Sequence, residues 1–297
     1  MKADLIDGTY ELFRHFYGQR DENTRTGTAA VRGVLSTCLQ TIENGSSHIA
    51  VATDHVIESF RNRMWPGYKT SAGMDPELLS VFPLLEEGLV AMGVRTYAMV
   101  ELEADDALAT VAAVCAEDDD VDQVRIWTPD KDLGQCVRED ERVIQIDRRA
   151  NKLINADAVR EKFGVDPASI PDFLALVGDS ADGFPGLPGF GAKTAGALLK
   201  HYKHIEHIPD AAGQWEVTVR GGGTLAATLA EHRDLVGLFK ELATLRIDRT
   251  IIDGVDDLLW TGPTPDFRTV AKQFDGDYVV NKAAVLAGGG ADDLGEF

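Results

Sequence analysis

The sequence is poor in cysteine. Its 297 residues include three, Cys38, Cys115 and Cys136, and their spacing matches no zinc-binding pattern. An odd number of widely separated cysteines does not form a disulfide framework, and reduced thiols are usual in the cytoplasm. We therefore expect a cytoplasmic protein that uses neither structural disulfides nor zinc.

Long hydrophobic runs are also missing. No run approaches the roughly 18 apolar residues that a membrane helix needs. The N-terminus, MKADLIDGTYELF, has no long apolar region followed by a small-residue cleavage site. We expect no membrane partner and no secretion signal, while an apolar content of 44% suffices for the core of one large domain or two.

Basic residues are outnumbered by acidic ones. The chain has 29 lysines and arginines against 49 aspartates and glutamates, a formal charge of −20. This excess argues against a nucleic-acid partner, because binding to phosphates is usually driven by basic side chains. Two arrangements would remove the objection: bound divalent metal could neutralise some of the acids, or the basic residues could be concentrated on one face.

Short apolar runs and helical patterns alternate in the first half of the chain. This alternation predicts βαβ units and a mostly parallel sheet, an α/β fold. From about residue 155 the pattern changes to short helices joined by glycine and proline turns, so we place a domain boundary there. The predicted strands are 3–7, 48–54, 94–99, 123–130 and 142–147, and the predicted helices lie around 9–18, 28–42, 77–92 and 104–116.

Acidic residues follow the predicted strands. Ligands of open parallel sheets bind outside the carboxyl ends of the strands, so these acids should converge on one edge. Asp179 and Asp182, in the later glycine-rich stretch, are candidates for the same site. The acids at or after strand ends are Asp7, Asp54, Glu103, Asp105, Asp106, Asp130 and Asp132.

Nine carboxylates cannot cluster unpaired, because like charges in a partly dry site repel one another and raise each other's pKa. Mg²⁺ and Mn²⁺ prefer oxygen ligands and would neutralise such a cluster. Two ions about 3.5–4 Å apart suit in-line displacement at a phosphodiester. The acids therefore point to a metal-dependent enzyme, since coincidence at every strand end is improbable.

Residues 178–200, GDSADGFPGLPGFGAKTAGALLK, are dense in glycine and proline and then continue as a helical pattern. Glycine and proline at this density form tight turns. Such a stretch fits an ordinary loop, a phosphate cradle or half of a metal site. In a phosphate cradle, its backbone N–H groups would meet a phosphate at the start of the helix, where Lys193 adds positive charge.

Over about residues 1–250 the chain resembles the bacterial 5′-nuclease family, the flap endonucleases and 5′–3′ exonucleases that occur alone or fused to DNA polymerase I. The resemblance rests on five segments whose order and spacing agree with the family. The segments are LIDGTYELFR, FRNRMWPGYK, EADDALAT, TPDKDLGQ and GDSADGFPGLPGFGAKTA.

The resemblance implies a PIN-like domain over 1–155 with a helical arch segment at about 55–85. A helix-three-turn-helix DNA-binding domain over 156–250 and a C-terminal extension over 251–297, with disordered last residues, would follow. It assigns Asp7, Asp54, Glu103, Asp105 and Asp130 to a first metal and Asp132, Asp179 and Asp182 to a second, with sharing of Asp130 between the two as an alternative. Asp106 is expected to support them. All nine acids of the family are present, which implies an active enzyme with two or more Mg²⁺ or Mn²⁺ ions.

The resemblance also implies residues that contact the substrate. Lys69, Tyr68 and Arg14 match catalytic positions, and Lys69 would contact the scissile phosphate. In the arch segment, basic residues among aromatic ones suit a threaded single strand. The implied DNA contacts are Phe13, Arg61, Arg63, Gly189, Gly191, Lys193 and Thr194, with K⁺ held by backbone carbonyls at the helix-three-turn-helix motif. Packing in the core is an equally good interpretation of Phe13.

Two departures from the family pattern and three alternative functions accompany this interpretation. Ala72 replaces a second basic residue of the arch, and Gly183 and Phe184 replace the usual Asn and Ile of a turn. A phosphatase of the haloacid dehalogenase type would need a nucleophilic Asp two residues before Asp7, where this chain has Leu5. A non-catalytic DNA-binding protein would not need acids at each strand end, and PIN-type ribonucleases usually lack the second domain.

The sequence thus predicts a structure-specific 5′ nuclease with both 5′-flap endonuclease and 5′–3′ exonuclease activity. Its expected substrates are branched, nicked or flapped duplex DNA and RNA–DNA primer junctions, cut to leave 5′-phosphate and 3′-hydroxyl ends. Primer removal, flap removal and repair are the expected duties. Any coupling to synthesis would then require a separate DNA polymerase and ligase.

Overall fold

The computed structural model describes residues 1–21 and 25–288. Its strands agree closely with the predicted ones. The short sixth strand was not predicted, because three residues carry too little pattern to be recognised. The strands are β1 (Lys2–Asp7), β2 (His48–Asp54), β3 (Arg95–Met99), β4 (Gln123–Trp127), β5 (Val143–Asp147) and β6 (Lys152–Ile154).

The helices up to residue 250 follow the predicted positions with two additions, and two more helices form after residue 251, where none was predicted. Prediction placed one helix over 77–92, but two form, because a proline occupies the first turn of the second of them. A short helix also forms within the predicted arch. The helices of the described residues are α1 (Gly8–Tyr17), α2 (Gly27–Glu43), α3 (Phe60–Met64), α4 (Pro76–Ser80), α5 (Phe82–Ala91), α6 (Ala104–Glu117), α7 (Ala156–Phe163), α8 (Ile170–Val177), α9 (Ala192–Tyr202), α10 (Gly222–Glu231), α11 (Arg233–Ala243), α12 (Phe267–Ala271) and α13 (Asp277–Leu286).

Contacts divide the chain into two compact units. Unit 1 consists of Met1–Ile57, Ser71–Thr128 and Ile247–Phe297, as far as these residues are described. Unit 2 consists of Glu58–Thr70 and Pro129–Arg246. The thirteen residues from Glu58 to Thr70, which lie inside the predicted arch, therefore belong with the second half of the chain.

Unit 1 contains a parallel sheet in the order β3-β2-β1-β4. The buried strands are rich in apolar residues, as expected for strands covered on both faces. Helix α6 packs on β1, β2 and β4, and α2 packs on α1, α5 and α13. Phe267, Phe274 and Val280 are buried in the same core, so the C-terminal segment up to Gly288 completes this unit.

Unit 2 contains the antiparallel pair β5 and β6, helix α3 and the helices α7 to α11. Its core includes Phe184 and Phe239, which stack with ring centroids 5.5 Å apart. Trp65 of the predicted arch packs edge-on against Phe239 at 5.2 Å. Helices α10 and α11 meet at His232, which ends the first and begins the second.

The division by contacts begins the second unit at Pro129, whereas the sequence suggested a boundary near residue 155. That predicted boundary stays a prediction. The last residues of the chain were expected to be disordered. Residues 289–297 lie outside the described residues. Among the described helices, none is long and apolar enough to cross a bilayer.

Candidate metal centre

Asp7 lies at the carboxyl end of β1 and caps the N-terminus of α1. Its Oδ1 accepts a hydrogen bond from the backbone N–H of Tyr10 at 2.8 Å. Its Oδ2 accepts one from the hydroxyl of Thr128, just after β4, at 2.9 Å. The carboxylate is therefore buried and held by both oxygens, as a preorganised metal ligand would be.

Asp54 lies at the carboxyl end of β2, beside the start of α6. Its Oδ1 accepts a hydrogen bond from the backbone N–H of Ala104 at 2.7 Å, and its own N–H donates to the hydroxyl of Thr9 at 2.8 Å. Parallel pairing places Asp7 opposite Ala52 and Asp54 opposite Met99. The two aspartates thus lie at the same edge of the sheet in unit 1, as predicted.

Three further acids begin α6, the helix that follows β3. Glu103 and Asp106 form a reciprocal capping box, in which the backbone N–H of Glu103 donates to Asp106 Oδ2 at 2.9 Å. Asp106 is fully buried, and Asp105 is half-buried. The capping contact of Asp106 agrees with a supporting position, since that oxygen already accepts a backbone hydrogen bond.

Asp132, Asp179 and Asp182 form a second acidic group in unit 2. One ligand oxygen of each lies within 4.8 Å of those of the other two, and all three residues are buried. Asp132 begins the 3₁₀ turn Asp132–Cys136, and its backbone N–H donates to Asp130 Oδ1 at 2.9 Å. Asp130 is half-buried beside it.

The turn that follows α8 fixes the positions of Asp179 and Asp182. Asp179 N–H donates to the Phe184 carbonyl at 2.8 Å, and the Phe184 and Gly183 N–H groups donate back to the Asp179 carbonyl. Asp179 Oδ1 accepts from the Ala181 N–H at 3.0 Å. The glycines predicted to form tight turns here do so, with φ of +85° at Gly178 and +83° at Gly183.

Lys131 was not singled out from the sequence, although it contacts this group. Its Nζ lies 2.5 Å from Asp179 Oδ2 and 3.6 Å from Asp132 Oδ1. Burial alone would lower the pKa of this lysine, but the charges of Asp132 and Asp179 raise it above its usual range. Burial, together with the charges of Asp130 and Asp182, raises the pKa of Asp132 well above its ordinary value.

The predicted catalytic residues Lys69 and Tyr68 lie against the same group. Lys69 Nζ is 3.1 Å from Asp182 Oδ1, and the Tyr68 hydroxyl is 3.1 Å from Asp182 Oδ2. The backbone supports this contact, because Lys69 N–H donates to the Asp182 carbonyl at 3.0 Å and the Trp65 indole N–H donates to the Gly183 carbonyl at 2.9 Å. Both residues therefore reach the acidic group.

Arg61, predicted to contact DNA, is instead a buried structural residue. It is 1% exposed, and its Nε and Nη2 donate to the carbonyls of Leu242 and Thr244 at 2.8 and 3.2 Å. The prediction was wrong because the guanidinium group satisfies the carbonyls at the end of α11. Arg63, two residues on, is exposed, and its contact with DNA stays a prediction.

Arg14 and Phe13 lie on α1 in unit 1. Arg14 is partly exposed, and its Nε donates to Oε2 of the buried Glu11 at 3.1 Å. Phe13 is half-buried: it packs against the core of unit 1 and lies 6.1 Å from the ring of the exposed Tyr17. Phe13 therefore packs in the core with part of its ring and leaves the rest at the surface, so the contact with DNA stays a prediction.

The glycine-rich turn leads into α9 as predicted. Gly191 occupies the N-cap position, and its carbonyl accepts from Thr194 N–H at 3.0 Å. Gly189, Gly191 and Lys193 are exposed, and Thr194 is half-buried. The free N–H groups of a helix start, beside a lysine, attract phosphate.

The acidic group of unit 2 fits a divalent cation. It offers three hard oxygen donors, the ligand type that Mg²⁺ and Mn²⁺ select. Asp132 Oδ1 is buried and accepts no hydrogen bond from the described residues, and the cost of burying such an oxygen without a partner is high. A cation coordinated by this oxygen would remove that cost.

Comparison with known proteins gives the same interpretation over most of the chain. Residues 2–164 match the family model described as the N-terminal resolvase-like domain of 5′-3′ exonucleases, and residues 165–266 match their C-terminal SAM fold. A 5′-3′ exonuclease of Buchnera aphidicola is 29% identical over 255 residues, which cover 82% of this chain and 86% of that protein. DNA polymerase I of Pseudomonas aeruginosa is 34% identical over 266 residues, which cover 86% of this chain and 28% of the polymerase.

Solved structures agree in fold at low sequence identity. A bacteriophage T5 flap endonuclease, crystallised with DNA and metal ions, gives a TM-score of 0.64 at 17% identity and covers 97% of this chain and 100% of its own. The catalytic core of Rad2 in complex with DNA substrate gives 0.63 at 14%, covering 96% and 92%. These likenesses confirm the predicted PIN-like α/β fold with a helical second domain.

Proposed function

Because the chain belongs to the 5′-3′ exonuclease family, we propose that it is a metal-dependent, structure-specific 5′ nuclease acting on DNA. The chain spans 28% of the Pseudomonas polymerase that it matches, so the proposal concerns the nuclease activity alone. The observation that carries it is the buried group of Asp132, Asp179 and Asp182, contacted by Lys69 and Tyr68.

The acidic residues would hold two or more Mg²⁺ or Mn²⁺ ions. Asp7, Asp54, Glu103 and Asp105 would serve a first ion, and Asp132, Asp179 and Asp182 a second, with Asp130 beside Asp132. Asp106 supports the first group through the capping box at the start of α6. A bound ion supplies charge neutralisation at the phosphate and lowers the pKa of water.

The residues of this chain would position the phosphodiester and balance its charge. Lys69 carries a positive charge beside Asp182, where it can meet the negative charge that develops on the phosphate. The Tyr68 hydroxyl orients the Asp182 carboxylate. Arg14, held by Glu11, offers its partly exposed guanidinium group to a phosphate oxygen of the DNA.

The DNA would be held at two kinds of surface. The exposed turn of Gly189, Gly191 and Lys193, with Thr194, suits a duplex phosphate at the start of α9, and its carbonyls suit K⁺. Arg63 and the half-buried ring of Phe13 suit the 5′ strand, by charge and by stacking respectively.

Hydrolysis would join a water oxygen to phosphorus and break the bond to the 3′ oxygen, which leaves a 5′-phosphate and a 3′-hydroxyl. We propose flapped, nicked and branched duplexes and RNA–DNA primer junctions as substrates. A cytoplasmic role in primer removal and repair would bring the nuclease together with a DNA polymerase and a ligase.

The proposal is tested with a set of end-labelled substrates: a 5′-flap duplex, a nicked duplex, a blunt duplex and a free single strand. We expect Mg²⁺- or Mn²⁺-dependent cuts near the junction of the flap, slower shortening of the nicked duplex and little cutting of the others. Equal cutting of all four would contradict structure specificity. Binding of the flap without cutting under either metal would instead indicate a non-catalytic DNA-binding protein.

A further inference from the structure

Each acid of the unit 2 metal group is in contact with a lysine. Lys131 Nζ lies 2.5 Å from Asp179 Oδ2 and 3.6 Å from Asp132 Oδ1, and Lys69 Nζ lies 3.1 Å from Asp182 Oδ1. The three carboxylates are nearly inaccessible to water, so without cations their mutual repulsion would be poorly screened. The lysines therefore supply the compensating charge.

Lys131 differs from Lys69 in the number of acids that it reaches and in which oxygen it holds. Oδ1 of Asp179 is already used by the backbone, since it accepts from the N–H groups of Ala181 at 3.0 Å and Asp182 at 3.4 Å. Oδ2 is thus the oxygen of Asp179 available to a metal, and the Lys131 ammonium group holds it.

The separation from Asp132 shows that Lys131 satisfies this group incompletely. At 3.6 Å its ammonium group is too far from Asp132 Oδ1 for a hydrogen bond, and that buried oxygen accepts none elsewhere among the described residues. A divalent cation held by this acidic group would neutralise both carboxylates with twice the charge of the ammonium group. The Lys131 ammonium group lies within 3.6 Å of both Asp179 Oδ2 and Asp132 Oδ1, so it would strongly repel a cation bound to these oxygens.

We propose that Lys131 is a built-in competitor of the second divalent cation. Its ammonium group holds Asp179 and Asp132 in place until a divalent cation displaces it, and its flexible, 30% exposed side chain gives it a path outward. The inference rests on the proposed metal site. It implies that Lys131 weakens metal binding while it preserves the folded acidic group at low metal concentration.

The test replaces Lys131 with a neutral side chain of similar length, Lys131→Met. In EDTA we expect this variant to melt below the wild type, because the carboxylates no longer have the positive charge of Lys131 beside them. In saturating MnCl₂ the two proteins should have the same melting temperature, since bound Mn²⁺ then neutralises the carboxylates in both. A lysine with a merely structural role would lower the melting temperature equally in both conditions.

Calorimetric titration with MnCl₂ gives a second readout that does not depend on activity. We expect Lys131→Met to bind Mn²⁺ at least about fivefold more tightly than the wild type, because a competing charge within 4 Å has been removed. Lys200→Met is the matched control: it removes the same charge from an exposed position on α9 and should change neither value.

Three outcomes would overturn the competitor role of Lys131. These are unchanged or weaker Mn²⁺ binding by Lys131→Met, an equal loss of melting temperature with and without Mn²⁺, and failure to fold in either condition. Folding that requires Mn²⁺ would support it. If the wild type itself shows neither Mn²⁺ binding nor a Mn²⁺-dependent shift in melting temperature, the metal site of the proposed function fails, a result distinct from the other three.

Discussion

At the residue scale, Arg61 and Arg63 show why a basic segment is not automatically a DNA-binding surface. Both were predicted to contact DNA from the same short stretch of basic and aromatic residues. The structure buries Arg61 against the carbonyls of Leu242 and Thr244 and leaves Arg63 exposed. Alternation of burial along a helical turn is not visible from composition alone.

We expect Arg61→Ala to lower the free energy of unfolding by about 2–4 kcal/mol, because two carbonyls lose their donors and a cavity forms. Arg63→Ala, the matched exposed control, should change it by no more than about 0.5 kcal/mol. Urea denaturation followed by circular dichroism measures both. Equal stability of the two variants would contradict the structural role of Arg61.

Tyr68 offers a second comparison at this scale. Tyr68→Phe keeps the buried ring but removes the hydroxyl that contacts Asp182 Oδ2 at 3.1 Å. We expect a loss of about 1 kcal/mol in stability and a lower cleavage rate with little change in DNA affinity. Single-turnover cleavage and a filter-binding assay separate the two effects. A variant with weaker binding but an unchanged rate would show that Tyr68 contacts the DNA rather than orienting the acid.

At the scale of elements, the turn from Gly178 to Gly186 explains a departure from the family pattern. Gly183 stands where relatives usually carry Asn, has a φ of +83°, and would place a Cβ atom 2.0 Å from the carbonyl oxygen of Gly67. Close approach of two backbone segments therefore requires glycine here. The same approach carries Lys69 and Tyr68 to Asp182.

We expect Gly183→Ala to lose at least about 2 kcal/mol of stability and most of the nuclease activity, because the backbone of the turn must move. Gly213→Ala is the control in the same unit, since nothing lies within 4 Å of the added Cβ atom. Thermal melting and flap cleavage are the two measurements. An active, stable Gly183→Ala protein would show that the turn tolerates displacement.

The elements also show how far sequence patterns reach. Hydrophobic periodicity predicted β1 to β5 and the principal helices, since buried strands and amphipathic helices have strong patterns. It did not predict β6, because a three-residue strand has no period, nor the break between α4 and α5, because the hydrophobic pattern continues across it. The acids at the strand ends followed from topology, whereas the contact of Lys131 depends on side-chain packing that no pattern encodes.

At the scale of the whole molecule, a formal charge of −20 makes cation binding a contribution to stability. Mg²⁺ that binds only the folded protein stabilises it by about 2.7 kcal/mol at a concentration one hundred times its Kd. We expect MgCl₂ to raise the melting temperature more than NaCl of the same ionic strength. An equal rise in the two salts would indicate general screening rather than specific sites.

The measurement that tests the account most directly is the cleavage of an end-labelled 5′-flap duplex by the Asp132→Ala, Asp182→Ala double variant. Its matched control is the Glu161→Ala, Glu231→Ala variant, which removes two exposed carboxylates from unit 2. We expect the wild type and the control to cut near the junction with Mg²⁺ or Mn²⁺, and the double variant to bind the flap without cutting it. Undiminished cleavage by the folded double variant would contradict the assignment of the metal centre.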